Sequence, residues 1–352
     1  MMLNSFIEIF HTIFIEILAL LLIFFFISFF WRKIFSFFSL KSYQAKQRLH
    51  QDEIPRIGGL SIYLFLSIVA LCSIESHYLN VILISALPIA IIGSKEDVFH
   101  NTSPKFRLIA MALSAGLFIY LLPTKLPEID FPILNQILAI GFMKEIFFIF
   151  SILVIINGNN LIDGVNGNMA FSNIIQLASV VLLACTVDDY KIVQLACLLL
   201  IPLIIFTLFN FPFGKIFCGD AGAYFYGFAI SASVIYLFGT YHDILSWSAV
   251  LILIYPAIEL LFSFIRKKLF EKKSPFTADA KHLHSLIFRY LSKRNSEFNN
   301  NSFVTIFLIP FIMAPLLSYL FYKDIFAIIF IIFILLVTYV MLYLFFLRRL
   351  SK

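Results

Sequence analysis

The stretch Ile325–Leu347, IFAIIFIIFILLVTYVMLYLFFL, decides the fold class. It carries no Asp, Glu, Lys or Arg, and Arg348 and Arg349 close it. An uncharged apolar run of this length crosses the roughly 30 Å hydrocarbon core of a bilayer as a helix. Working back towards the N-terminus, similar runs recur near 303–322, 246–265, 223–240, 193–210, 168–186, 145–157, 107–122, 79–93, 58–75 and 13–31. The first of them, Ile13 to Trp31, lacks a basic n-region and a small-residue cleavage site. It is also too long for a simple signal-peptide core, so it reads as a retained first helix. The expected architecture is an all-α polytopic membrane protein of about eleven transmembrane helices, one integral-membrane domain over 1–352. The longest polar stretch, 266–302, is expected to form a cytosolic loop or small subdomain within it.

Composition supports this. Hydrophobic residues make up 61% of the chain and charged residues 13%, against about half and roughly a quarter in soluble domains. Of the 26 Lys and Arg residues, all but Lys125, Lys144, Lys191 and Lys323 fall on alternate loops or at the C-terminus. The basic bias of cytosolic loops then sets the N-terminus outside and the C-terminus inside. The net charge of +6 follows from that bias and does not call for nucleic acid. Cys72, Cys185, Cys197 and Cys218 are far apart with no CxxC spacing, which argues against a disulfide framework or a zinc site.

Five polar segments interrupt the apolar pattern, all on the expected cytosolic side. The first runs from Lys46 through Pro55-Arg56-Ile57-Gly58-Gly59, where paired glycines let backbones approach closely. The second joins Glu96 and Asp97 to Lys105 and Arg107. Adjacent carboxylates at a helix end are suited to proton transfer or cation binding, or to a plain solvated charge pair. The third, Asn157-Gly-Asn-Asn160-Leu-Ile-Asp163-Gly-Val-Asn166-Gly167, concentrates amides, carboxylate and glycines. One helical turn would put Asn160 and Asp163 on a common face, and such hard oxygen donors suit magnesium with a phosphate or nucleotide. In the fourth, Asp220 stands between Gly219 and Gly222, as a metal ligand or a helix N-cap. The fifth carries Lys281, His282 and His284. With no third histidine or cysteine nearby, this pair suits an anionic pyrophosphate better than zinc.

In order and wording, PRIGG, GSKED, NGNNLIDGVNG, FNFPFGKIFCGDAG and SPFTADAKHLH resemble the motifs of the polyprenyl-phosphate N-acetylhexosamine-1-phosphate transferase superfamily. The resemblance runs from about Lys46 to His284. It implies a membrane helix bundle with cytosolic active-site loops in the bacterial inner membrane. It also implies transfer of an N-acetylhexosamine-1-phosphate from a UDP-sugar to undecaprenyl phosphate, with release of UMP and a requirement for Mg²⁺, which Mn²⁺ could replace. By motif, Asp220 and Asn160 match the metal positions. Asp163 and Asn157 match positions around metal and nucleotide. Glu96 and Asp97 match an acidic pair linked to the lipid phosphate, and Lys46, Lys105, Arg107, Lys281, His282 and His284 become substrate contacts. A homodimer is compatible with the family.

Some positions depart from the family pattern. Glu96 replaces the first Asp of a usual Asp-Asp pair, Asn166 stands where Asp is frequent, and Ser285 replaces a third histidine. These changes favour the branch that initiates O-antigen, capsule and similar glycans over the phospho-N-acetylmuramoyl-pentapeptide transferases. A secondary transporter is the reading from another class. Glu259, inside the ninth expected span, is the main residue in its favour.

Overall fold

The computed structural model describes residues 22–23, 54–72, 77–272, 274, 281–294 and 301–351. Most of the first expected span and Lys46 therefore lie outside the described residues, as do 275–280 of the fifth segment. Every regular element among the described residues is helical, without strands. Helix α1 is Gly58–Cys72, α2 His77–Phe99, α3 Pro104–Leu121, α4 Pro132–Leu138 and α5 Met143–Ile162. They are followed by α6 Asn168–Thr186, α7 Tyr190–Asn210, α8 Gly219–Thr240, α9 Ser246–Ile252 and α10 Ile254–Ile265. The remainder are α11 Leu283–Arg294, α12 Val304–Phe307, α13 Ile309–Met313, α14 Leu316–Phe321 and α15 Ile325–Ser351.

Among the described residues, seven helices are long and apolar enough to cross a membrane, or eight if the bent pair α9–α10 counts as one span. The expectation of about eleven is thus met only as a polytopic all-α fold. Two differences have local causes. The run at 303–322 is not one rod, because Pro310 and Pro315 lack the N–H a continuous helix needs and divide it into α12, α13 and α14. The run at 246–265 bends by 73° around Leu253.

Helix ends follow local chemistry. Ser103 caps α3 by accepting from Phe106 N–H, with Pro104 at the first helical position. Asp189 caps α7 by accepting from the N–H groups of Lys191 and Ile192.

Helix α8 is the axis of the bundle, buried along its length and packed against α1, α2, α5 and α6. Its small residues, Gly222, Ala223, Gly227, Ala229, Ser231 and Ala232, permit this. Lipid tails are as apolar as leucine, so helices associate in a bilayer through close packing. Gly59 meets Gly222 so tightly that a Cβ on either would overlap the other's backbone. Many apolar side chains on the outer helices, including Leu71, Phe106, Phe326, Phe330 and Phe333, stay exposed, as lipid-facing residues do. The loops after α2, α5, α7 and α10 gather at one end of the bundle. At the other end, Asp130 pairs with Ser246, and Tyr241 donates to Asp189. A cavity of about 420 Å³ near Lys125, Glu128, Lys144, Glu145 and His242 also lies at that other end, away from the carboxylates described next.

Candidate active site

The site begins at the first turn of α8. Gly219 has φ +75°, and a Cβ there would overlap the Asp97 carboxylate. Gly219 thus lets the end of α2 reach the N-terminus of α8. Asp97 Oδ1 accepts from Asp220 N–H at 2.8 Å and Oδ2 from Ala221 N–H at 3.0 Å. A carboxylate at this point satisfies orphan amides and complements the helix dipole. The first segment adds a brace, because Gly58 N–H and Gly59 N–H donate to the carbonyls of Phe217 and Cys218.

Held this way, the Asp220 side chain, 15% exposed, becomes a focus for side chains of α3, α5 and its own helix. Asn160 Nδ2 of α5 donates to Oδ1 at 3.1 Å. Tyr224 Oη, one turn along α8, donates to Oδ2 at 2.9 Å. Arg107 Nη1 of α3 lies 3.4 Å from Oδ2. Asp163 stands at the C-terminal cap of α5. Among the described residues no hydrogen-bond donor reaches its carboxylate. Burial pushes that carboxyl up to about 8, Arg56 pulls against the rise and Asp220 adds to it.

Asp220 is near enough to disfavour ionisation of Asp163, and a divalent cation bound there would relieve that cost. Among the described residues no group of three His, Cys, Asp or Glu side chains is placed to hold a metal. The oxygens of Asp220, Asn160 and Asp163 fit magnesium, which keeps waters and takes phosphate oxygens for much of its shell.

The histidine segment forms the next wall. His282 and His284 stack with ring centroids 5.7 Å apart and planes within 4°. His284 packs on Gly164, where a Cβ would overlap its Nε2. Burial pushes the His284 imidazole down to about 4, Glu259 works against this and His282 adds to it. His284 is therefore neutral near pH 7, and its Nδ1 is buried with no hydrogen-bond partner among the described residues. From its spacing, His284 is expected as one of two imidazoles beside Lys281. The structure makes it a neutral polar wall.

Other expected site residues are placed differently. Glu96 turns to its own loop, where Oε2 accepts from Thr102 N–H at 2.8 Å. Asn157 donates to Leu153 O at 2.8 Å and contacts the Met111 sulfur at 3.2 Å. Lys281 pairs with Glu271 at 2.8 Å, and Arg266 reaches the same oxygen at 2.7 Å. Lys105 is exposed on the first turn of α3, two residues before Arg107. Asn166 is buried and structural, donating to Pro212 O at 3.2 Å while its own carbonyl accepts from Thr305.

A family model described as glycosyl transferase family 4 matches residues 79–238, which span α2 to α8 and include Asp97, Asn160, Asp163 and Asp220. Over that stretch the chain is similar to this family. The chain is 29% identical over 83% of its length to a probable undecaprenyl-phosphate N-acetylglucosaminyl 1-phosphate transferase of Bacillus subtilis, of which 80% is covered. It is 28% identical, over 76% of its length and 80% of the relative's, to an undecaprenyl-phosphate alpha-N-acetylglucosaminyl 1-phosphate transferase of Thermotoga maritima. A protein of the same description from Escherichia coli K12 is 24% identical over 74% of this chain and 72% of its own. Around Asp220 and Asp163, sequence reasoning passed over Tyr224 and Arg56. Tyr224 lies four residues after Asp220, a spacing that puts both on one helical face. Arg56, in the PRIGG segment, acts electrostatically on Asp163, and nothing in its spacing signals that role.

Proposed function

We propose that this chain transfers N-acetylglucosamine-1-phosphate from its UDP donor to undecaprenyl phosphate, forming a lipid-linked sugar and releasing UMP. An oxygen of the lipid phosphate attacks the phosphorus attached to the sugar. The phosphoanhydride P–O bond breaks, and its electron pair leaves on UMP. One observation carries this reading: Asn160, Tyr224 and Arg107 converge on Asp220 beside the Asp163 carboxylate. The names of the relatives favour N-acetylglucosamine over a muramoyl-pentapeptide.

Two anions must meet in this reaction, so charge neutralisation and positioning dominate catalysis. Asp220, Asn160 and Asp163 are the residues that would hold Mg²⁺, or Mn²⁺ in its place. An ion held by them would supply Lewis-acid neutralisation of pyrophosphate oxygens. Arg107 and Lys105, together at the start of α3, receive the lipid phosphate from the bilayer. Asp97 positions Asp220 through the backbone and need not act as a base. The last proton of a phosphate monoester leaves near pH ~6, so the acceptor is mostly ionised beforehand. His284 offers a neutral ring to the donor. The basic loop bias puts this end of the bundle in the cytosol, where UDP-sugars are made.

Purified protein with Mg²⁺, undecaprenyl phosphate and UDP-N-acetylglucosamine is expected to release UMP. Asp220→Asn should abolish release while the protein stays folded. Full activity of that variant would overturn the metal assignment, and no turnover with any UDP-N-acetylhexosamine would overturn the function.

A further inference from the structure

Glu259 is a carboxylate in α10, 1% exposed, in the longer arm of the bent helix pair. An ionisable group at such a place costs several kcal/mol unless its oxygens are satisfied. Both are. Oε1 meets His282 Nδ1 at 3.0 Å and accepts from Leu283 N–H at 3.4 Å. Oε2 accepts from Tyr339 Oη of α15 at 2.9 Å. An ionised carboxylate only accepts, so His282 must carry a proton on Nδ1. Its other nitrogen, Nε2, is then on the ring edge remote from Glu259.

From His282 the contacts lead on to His284. Its ring lies parallel to that of His284, and His284 abuts Gly164 beside Asp163. A buried polar pair serving only as glue has a cheaper replacement, because apolar side chains of similar volume often stabilise as well or better. A carboxylate that orients an imidazole against a reacting group has a use that apolar packing cannot copy.

We propose that Glu259, seconded by Tyr339, is a positioning residue for the transfer: it sets the tautomer and ring plane of His282 and, through the ring stack, the seat of His284 beside Gly164. The inference rests on the phosphate-transfer reading of this site, and it puts to use the intramembrane carboxylate that a transporter reading would have claimed.

The test compares wild type, Glu259→Gln, Tyr339→Phe, His282→Asn and the Glu259→Gln/His282→Asn double variant in detergent. UMP release is measured with undecaprenyl phosphate and UDP-N-acetylglucosamine. Thermal unfolding is followed in parallel, and histidine ¹⁵N spectra report the His282 tautomer. Glu259→Gln should lower kcat on the order of 10–100-fold, the usual cost of losing a group that orients a functional imidazole, with KM for the donor little changed. Tyr339→Phe should show the same pattern more weakly, and it remains readable if Glu259→Gln does not fold. The double variant should be no slower than His282→Asn alone, because both changes act through one ring. Wild-type kcat in Glu259→Gln, multiplying effects in the double variant, or an unaltered His282 tautomer would each overturn the inference. An inactive wild type would overturn the function reading instead, and the ¹⁵N spectra would still decide whether Glu259 sets the tautomer.

Discussion

At the residue scale, the Asp163 carboxyl makes a sharp prediction. Burial and Asp220 hold it up to about 8, so metal-free protein at pH 7 keeps Asp163 mostly protonated. A raised acid favours its protonated form, and a cation must displace that proton. Mg²⁺ affinity should therefore strengthen as pH rises, by about tenfold per unit below 8, and level off above it. Calorimetric Mg²⁺ titrations at several pH values check this, and Asp163→Asn should flatten the dependence. The same scale shows what a sequence reader can see. Asp220, Asn160 and Asp163 were legible because polar residues flanked by glycine have few bland explanations inside an apolar chain. Tyr224 was not, because one tyrosine among 15 looks like packing until its hydroxyl is seen 2.9 Å from Asp220. Glu259 was noticed as an exception, but its partners His282 and Tyr339 lie 23 and 80 residues away.

At the element scale, the meeting of α1 and α8 is the point most sensitive to size. Gly59→Ala places a methyl group into the Gly222 backbone, and backbone cannot step aside as a side chain can. Such overpacking costs about 1–3 kcal/mol, so a lower unfolding temperature in detergent is expected. UMP release should fall too, because Gly58 and Gly59 hold the segment that leads into Asp220 through Phe217 and Cys218. Element existence was easier to read than element continuity. Apolar composition marks 303–322 and 246–265 as membrane-length runs, yet prolines divide the first and a 73° bend divides the second. In a bilayer, a broken helix survives only where neighbouring protein covers its freed backbone groups, and composition does not report neighbours.

At the scale of the whole molecule, the proposed orientation predicts accessibility. A cysteine introduced at Lys125 should react with a membrane-impermeant maleimide on intact cells, whereas one at Lys215, on the site end, should react only after permeabilisation. The opposite pattern would reverse the orientation. Sequence alone determined that this is a polytopic helical membrane protein. It also determined that the unusual polar residues fall on alternate loops, because hydrocarbon admits long uncharged runs and little else. It did not determine which helix lies at the centre. The uncharged run Ile325–Leu347 that marks the fold belongs to a helix mostly exposed to lipid, while the less apolar α8 is buried throughout. In water, the most apolar element goes inside. In a membrane the solvent is itself apolar, so bulky aliphatic residues gain nothing by leaving it, and the interior goes to the helix whose small side chains allow the closest approach. Only the tertiary structure could decide that, and with it the placing of Asp220 at the head of the buried helix.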